Sequence, residues 1–306
     1  MSSDIVTVRR PGAILQRRRT TAAGWFFVSP AVLLFLVFVA GPFVFAIALA
    51  FQKWDLLTPA QFVGIDNFAR LFSDPLLPQV LLNTFAFAFA SIVTHLVFGM
   101  LLALAANRAM NRVLGYFVRV SIFFPFLISW AAVALLWKYV LDPTFGYVAQ
   151  YLATVGVQLP NLFADPSWAL PAIIFVDLWH TLGFTFIIML AGLQTVPNEL
   201  VEAARTDGAT AWQIFWRITL PLMSPTIFFA TIITFIGAFQ IFDPIQIITQ
   251  GGPQNSTTTI IMYLYQKGFQ AFDMGYAAAV ALLVFVIIMG VTALQFVGRR
   301  KWVYES

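Results

Sequence analysis

Six apolar runs, each long enough to cross a membrane, dominate this 306-residue chain. A spanning helix needs about 20 mostly apolar residues, because each residue adds 1.5 Å against roughly 30 Å of hydrocarbon. The runs cover residues 25–50, 80–106, 120–140, 168–193, 222–248 and 274–298. The first and last contain no charged residue, whereas His95, Asp177, His180 and Asp243 lie inside the middle runs. The pattern predicts an all-α membrane protein with six transmembrane helices.

Composition supports lipid as the main solvent of this chain. Hydrophobic residues make up 60% and charged residues 10%, with 33 Phe and a mean hydropathy of +0.86. Ordinary globular chains carry roughly 25% charge. The absence of Cys excludes disulfides, thiolate metal ligands and thiol catalysis, and two His are too few for a histidine metal cluster. We therefore predict neither a catalytic residue nor a metal site.

The first apolar run follows three consecutive arginines and could be a cleavable signal peptide. Its apolar core is longer than the roughly 7 to 15 residues of a signal h-region. We interpret it as a retained first helix, with cleavage after Ala48–Ala50 as the lesser alternative. Residues 1–24 are then an N-terminal arm, residues 25–298 the transmembrane domain and residues 299–306 a tail.

The cations predict the orientation of the chain, because Lys and Arg beside spanning helices resist translocation and stay cytoplasmic. With the N-terminus inside, all but four of the 17 Lys and Arg lie on the cytoplasmic side. Both the arm and the tail are therefore expected in the cytoplasm. The net charge of +4 is a signal of topology, and no stretch interleaves basic and aromatic residues as nucleic-acid binding requires.

The polar residues separate the classes of multi-span protein. A P-loop needs Gly immediately before Lys, and none of the four Lys has it, so the chain cannot be its own P-loop ATPase. No repeat or filter-like motif indicates a channel. An enzyme is disfavoured because Asp177 and Asp243 lie on different helices, without a Ser, His or Lys grouping that the sequence can place beside them. An ion-coupled secondary transporter would tolerate such intramembrane acids and is the alternative.

The connection over residues 195–221 lacks an apolar span, and its sequence predicts two short helices. Pro197 suits a first helical position, and Gly208 can supply the left-handed residue that ends the first helix. Thr210 and Gln213 form a predicted capping box that opens the second helix. We expect Pro221 to close that second helix.

Small residues and aromatic residues surround the turn of this connection. The small ones would let another protein's backbone approach closely, and the aromatic ones beside a membrane favour anchoring of a docked element. A well-capped, solvated loop is the plainer interpretation. The residues concerned are Ala203, Ala204, Gly208, Ala209, Trp212, Phe215 and Trp216.

The segment Glu202–Ala209, followed by Ile218–Pro221 and Pro225, resembles the EAA loop of permease subunits in binding-protein-dependent ABC importers. The resemblance extends over most of the chain beyond the first 24 residues. Several further segments resemble the carbohydrate-uptake branch, which includes maltose-type, other sugar and glycerol 3-phosphate permeases. They are Phe62–Phe68, Asn83–Thr84, Trp137–Tyr139, Leu141–Pro143, Ala191–Gln194, Thr249–Pro253 and Gly275–Ala277.

The resemblance implies a type I importer fold in the bacterial inner membrane. It also implies a second, similar permease, two copies of an ATPase subunit that bind ATP and Mg, and a soluble extracytoplasmic binding protein. This chain itself would bind no cofactor. The EAA turn would be the coupling helix seated in the ATPase, and the residues implied are Glu202, Ala203, Ala204, Asp207, Gly208, Ala209, Ile218, Leu220 and Pro221.

The acids inside the runs predict the substrate pathway. Asp243, with Gln240 and Phe239 one turn earlier, is the first candidate, because Pro244 should kink or break the helix there. The alternative is that Asp243 caps the helix or bonds a neighbouring one.

Asp177 and His180, at i and i+3 on one helix face, are a second candidate pair for the pathway. Trp179 is a further aromatic candidate. The predicted solute is a sugar or polyol, with glycerol 3-phosphate or a glycerophosphodiester close behind.

Overall fold

The computed structural model describes residues 12–107, 111–299 and 303. Most of the predicted tail and the first eleven residues of the predicted arm lie outside the described residues. The rest of the arm is helical, since the first helix begins at Gly12 and continues without interruption into the first predicted span.

Helices make up most of the described chain. The α-helices are α1 Gly12–Phe35, α2 Gly41–Ala50, α3 Asp66–Ser73, α4 Leu77–Ala106, α5 Arg112–Phe123, α6 Trp130–Val140, α7 Tyr147–Thr154, α8 Ala169–Gln194, α9 Asn198–Thr206, α10 Ala211–Ile214, α11 Leu220–Leu222, α12 Ser224–Phe239, α13 Ile260–Tyr265 and α14 Met274–Arg299. Shorter 3₁₀ or π segments cover Leu36–Ala40, Phe124–Leu127, Phe215–Thr219, Ile245–Thr249 and Gln266–Gln270. A two-stranded hairpin, β1 Gln52–Lys53 with β2 Gln61–Phe62, corrects the all-α prediction.

Four stretches in the described chain are long and apolar enough to span a membrane. They are Gly24–Ala50, Leu77–Ala106, Ala169–Gln194 and Met274–Arg299. Two bent helix pairs raise the number to six if each pair counts as one span. The mostly helical architecture is thus confirmed, and the predicted count of six depends on the two bent pairs.

The third predicted span is broken. Its two parts, Val113–Leu127 and Trp130–Val140, meet at an angle of 97°. Ile128 and Ser129 between them are extended, and the Ser129 hydroxyl accepts a hydrogen bond from the Ala132 N–H at 3.4 Å, which caps the second part.

The fifth predicted span ends earlier than its apolar run. We expected the break at Asp243 and Pro244, but α12 already ends at Phe239. The physical reason is that a proline ring clashes with the carbonyl four residues before it, which here belongs to Gln240. The predicted break is thus present, but the helix ends four residues before Asp243, and Pro244 explains the earlier end.

Helices α4 and α8 form the centre of the bundle and run parallel. Three successive turns pair residues 86 apart in sequence: Ser91 with Asp177, His95 with Thr181, and Gly99 with Thr185. A constant offset requires parallel helices in register. The absence of a side chain at Gly99 allows the approach, since a Cβ there would lie 3.0 Å from the Thr185 Cγ2.

The last helix, α14, is antiparallel to α2. Phe43 contacts Phe285 with ring centroids 5.0 Å apart, and Gly275 lies against the Gln52 carbonyl. At this end of the bundle the loop before α13 is anchored on α4, because the Asn83 amide donates to the carbonyls of Asn255 and Thr258. The opposite end of α8 leads into the predicted coupling connection.

Candidate functional site

Asp177 is 6% exposed and lies in the contact between α4 and α8, which is called the seam below. The Ser91 hydroxyl donates to its Oδ2 at 2.8 Å. The hydroxyl of Thr181, one turn along α8, donates to the Asp177 backbone carbonyl at 2.9 Å. Because a buried carboxylate without partners is costly, the bond from Ser91 helps to explain how this acid can lie within a span.

His95 completes this polar cluster. Its Nδ1 is 2.7 Å from the Ser91 carbonyl, which can only accept, so Nδ1 carries a proton. Its Nε2 lies 2.6 Å from the Thr181 hydroxyl oxygen and 3.9 Å from the Asp177 Oδ2. Four polar side chains from two helices thus meet at one depth of the bundle.

A cleft of about 280 Å³ opens beside the cluster. Asp177 and His95 form its polar side, and three aromatic side chains, Phe126, Trp130 and Phe184, form an apolar wall. The described residues that line it include no Lys or Arg. A concave site with apolar walls and a few convergent polar groups is the usual form of a small-molecule site. The other lining residues are Ser91, Thr181, Thr185, Ile233, Thr234, Gly237, Ala238 and Ile241.

His180 and Trp179 do not line the cleft. The Nε2 of His180 is 2.9 Å from the Ile128 carbonyl in the break of the third span, and its ring centroid lies 4.1 Å from that of Trp130. Trp179 packs edge-on against Trp137 of α6 at 5.4 Å. Of the three α8 candidates, the structure therefore brings only Asp177 to the cleft.

The structure does not bring Asp243, Gln240 and Phe239 together. Phe239 is fully buried and packs against Phe85, with ring centroids 5.1 Å apart. Gln240 borders a groove between α2 and α14, and Asp243 is exposed. The reason is that the helix ends at Phe239, so the expected one-turn spacing no longer aligns the side chains.

The predicted coupling connection folds as two capped helices. The first begins at Asn198, one residue after the predicted start, because Pro197 is extended and occupies the N-cap. Gly208 ends it with a φ of +84°, and the Ala209 N–H donates to the Ala204 carbonyl at 2.9 Å. These features confirm the predicted left-handed C-terminal glycine.

The capping box at the start of the second helix is also confirmed. The Gln213 N–H donates to the Thr210 hydroxyl at 3.3 Å, and the Thr210 N–H donates to the Gln213 Oε1 at 2.8 Å. The helical run then passes through a π turn and continues to Leu222, so Pro221 does not close it. A proline is tolerated there because it lies in the first turn of a new helical segment. A bend of 67° follows before α12.

The turn of the connection around Gly208 is exposed on the surface of the chain. Five of the nine predicted coupling residues are exposed, and the other four are half-buried. The exposed ones are Glu202, Ala203, Asp207, Gly208 and Pro221, and the half-buried ones are Ala204, Ala209, Ile218 and Leu220. Trp212, 70% exposed, and Trp216 border an apolar groove against α4.

A second polar cluster lies at the end of the bundle opposite this connection. The Asp74 carboxylate accepts from the Tyr263 hydroxyl at 2.6 Å and from the Lys267 Nζ at 3.4 Å. Burial opposes ionisation of Asp74, but these donors, with the Leu76 N–H, hold its pKa below the usual value. Burial and the bond to Asp74 raise the pKa of Tyr263.

Nothing in the sequence pattern singles out Ser91, Thr181 or Trp130, and His95 stands out only as a polar residue within an apolar run. The available signal was that His95 and Asp177 both interrupt apolar runs. Their pairing could not be inferred because it depends on the register of α4 against α8. Among the described residues, no group of three or more His, Asp or Glu could hold a metal ion.

Comparison with known proteins places this architecture in a family. Residues 95–302 match the family described as the binding-protein-dependent transport system inner membrane component. The chain is 35% identical over 295 residues to a probable ABC transporter permease, YesP, of Bacillus subtilis, covering 94% of each chain. It is 30% identical to the sn-glycerol-3-phosphate transport permease UgpA of Brucella abortus, covering 92% of this chain and 96% of the relative.

A solved structure shares the fold over nearly the whole length. A chain from a bacterial ABC transporter involved in import of the acidic polysaccharide alginate has a TM-score of 0.83 and 26% identity, covering 94% of this chain and 99% of that one. The same fold occurs in an alginate transporter in complex with its periplasmic protein, with a TM-score of 0.81. The chain therefore belongs to the inner membrane component family of binding-protein-dependent transport systems, and it is a multi-pass permease of the ABC importer type in the bacterial inner membrane.

Proposed function

We propose that this permease forms, with a second permease, the pathway through which an ATP-driven importer moves a sugar, polyol or glycerol 3-phosphate type solute. The cleft between α4, α8, α12 and the broken third span carries the proposal. Relatives that act on such solutes support it: UgpA of Brucella abortus, and the lactose transport permease LacF of Rhizobium radiobacter at 33% identity.

The chemistry of the cleft favours a neutral, hydroxyl-rich solute. The Asp177 carboxylate can accept hydrogen bonds from hydroxyl groups, while Trp130 and Phe184 offer flat apolar faces. A phosphate group would require a cation, and Lys and Arg are missing from the described lining. A phosphorylated solute would therefore need its cation from the second permease. Asp243 and Gln240, at the end of α12, are the proposed continuation of the pathway.

The connection with its exposed turn is the proposed docking site of the ATPase. Its two short helices, the first ended by Gly208 and the second begun by the Thr210–Gln213 capping box, are well enough defined to transmit a rotation of the ATPase to α8 and α12, which the connection joins. ATP and Mg then belong to two copies of that ATPase subunit, and an extracytoplasmic binding protein delivers the solute. In this proposal each bent helix pair is one span, both termini are cytoplasmic, and lipid or the second permease covers the exposed first span.

Reconstitution into proteoliposomes tests the function. We expect uptake of radiolabelled lactose or sn-glycerol 3-phosphate only when both permeases, the ATPase, ATP and loaded binding protein are present. Asp177→Asn should lower the amount of solute transported per ATP hydrolysed, while assembly and basal hydrolysis persist. ATP-independent uptake by this chain alone would instead support an ion-coupled carrier. An unchanged transport ratio in Asp177→Asn would refute the cleft as the substrate site.

A further inference from the structure

The break in the third span is flanked by two of the three aromatic side chains that form the apolar wall of the cleft. Phe126 lies just before the break and Trp130 just after it. Ile128 and Ser129 between them are extended, so the backbone at this point has left the helical hydrogen-bond ladder. The positions of both rings depend on what holds this short segment against the bundle.

His180 is attached directly to that segment. Its Nε2 lies 2.9 Å from the Ile128 carbonyl, and a carbonyl only accepts, so Nε2 carries the proton. Its Nδ1 is buried without a hydrogen-bond partner among the described residues. The ring is 3% exposed and lies against Trp130 at 4.1 Å and Phe126 at 6.3 Å. The His180 side chain thus forms a hydrogen bond to the backbone at the break and packs against the two aromatic rings that flank it.

A close backbone approach holds the part of the third span before the break, α5, against the next turn of α8. At Gly183, a Cβ would collide with the Ile122 carbonyl oxygen and lie 2.7 Å from the Phe123 Cα. Backbone atoms cannot rotate away as a side chain can. Helix α8 therefore contacts the broken span at two points three residues apart, by packing at Gly183 and by a hydrogen bond at His180.

We propose that His180 is a positioning residue that fixes Phe126 and Trp130 in the cleft through its hydrogen bond to the Ile128 carbonyl. This rests on the proposed function of the cleft as the substrate site. His180 does not itself line the cleft, so its effect on solute passes through the two rings. A loosened break would let the rings move, and the cleft would hold solute less well during each ATP-driven cycle.

Two amide substitutions separate this role from simple packing. The side-chain nitrogen of Gln can occupy roughly the place of the His Nε2, whereas that of Asn reaches only the place of Nδ1. His180→Gln should therefore keep the bond to Ile128, and His180→Asn should lose it. His180→Phe keeps a ring against Trp130 but removes the donor. If His180 acts by packing, His180→Phe should be the variant closest to the wild type in transport per ATP. If it acts by hydrogen bonding, His180→Gln should be.

The test uses the assembled importer in proteoliposomes, with two readouts. A spin label on Leu127→Cys reports the mobility of the break, because the chain has no native Cys and Leu127 is exposed. The second readout is radiolabelled lactose or sn-glycerol 3-phosphate transported per ATP hydrolysed, with loaded binding protein saturating. We expect His180→Gln to match the wild type. His180→Asn and His180→Phe should have a mobile label and a transport ratio about fivefold lower, the scale of one lost hydrogen bond.

The outcomes distinguish the inference from the proposed function. Equal label mobility in the Gln and Asn variants overturns the inference. The inference is also overturned if the label is mobile in His180→Asn and His180→Phe but the transport ratio of these variants is unchanged. If Asp177→Asn lowers the ratio in the same assay, the proposed function of the cleft still stands. If Asp177→Asn leaves the ratio unchanged as well, the cleft is not the substrate site and both proposals fail together.

Discussion

The Ser91 hydroxyl on α4 donates to the Asp177 carboxylate on α8 at 2.8 Å, across a seam where two parallel helices pair residues 86 apart. The acid is buried, yet its Oδ2 has a donor and its side chain borders the cleft. This arrangement keeps an ionisable group inside a span without leaving it unsatisfied. It also ties the chemistry of the cleft to the register of α4 against α8.

Removing that donor should destabilise the permease. In Ser91→Ala the Asp177 oxygen loses its partner while remaining buried, which costs about 1–3 kcal/mol. Thermal unfolding of the purified permease in detergent measures the loss. Ser121→Ala on α5 is the control, because Ser121 is exposed and its change should fall within about 0.5 kcal/mol of zero. Equal stability of the two variants would contradict the importance of the seam bond.

Gly183→Ala should be more damaging than its size suggests. The added methyl group would meet backbone atoms of Ile122 and Phe123, which can yield only if α8 and α5 separate. Overpacking of this kind costs typically about 1–3 kcal/mol. Gly290→Ala is the matched control on α14, since no described atom outside its own helix turn lies within 4 Å of a Cβ built there. Thermal unfolding should rank the two variants clearly, and similar midpoints would show that the approach at Gly183 is not tight.

Gly208→Val should impair coupling through backbone strain alone. The φ of +84° disfavours a β-branched residue by roughly 1–2 kcal/mol, and no described atom lies within 4 Å of a Cβ at that position. Gly208→Asn is the control, because Asn tolerates left-handed geometry better. We expect the Val variant to insert and pair, but its ATPase to detach or to ignore loaded binding protein. Normal stimulated hydrolysis in Gly208→Val would argue against docking at this turn.

Single cysteines should report the predicted orientation in intact cells. Gln254 and Glu199 are both exposed and lie at opposite ends of the bundle, and no native Cys competes for the label. An impermeant thiol reagent should modify Gln254→Cys and leave Glu199→Cys unmodified until the cells are opened. The reverse pattern would show that the chain is inserted the other way round, against the distribution of its cations.

Acid should weaken the Asp74 cluster. Because the pKa of Asp74 is lowered in the folded state, its contribution to stability is fully present above the usual value of 3.8 and is lost as pH falls through the folded pKa. Asp74→Asn should therefore be less stable than the wild type at pH 7, with the difference shrinking below about pH 4. Tyr263→Phe removes the closest donor and should move this acid transition to higher pH. If the difference in unfolding free energy between the wild type and Asp74→Asn did not change with pH, an ionised Asp74 would not be what stabilises the cluster.

The amino-acid sequence alone predicts the membrane class, the apolar runs and the two short helices of the connection over residues 195–221. These features are local: a run of 20 apolar residues, a Gly at a left-handed position and a Thr210–Gln213 cap each depend on neighbours within a few residues. The same locality explains the errors at Pro197 and Pro221. A proline signals a boundary, but whether it caps, begins or ends a helix depends on the geometry of the flanking turns.

Which intramembrane polar groups meet depends on how the helices pack against one another. Asp177 and His180 share a helix and lie three residues apart, yet one faces α4 and the cleft while the other bonds the broken third span. Asp243 and Phe239 belong to one apolar run, but the helix end between them separates an exposed acid from a buried ring. Periodicity fixes a residue's place on its own helix, whereas its partner depends on the register and breaks of other helices far away in sequence.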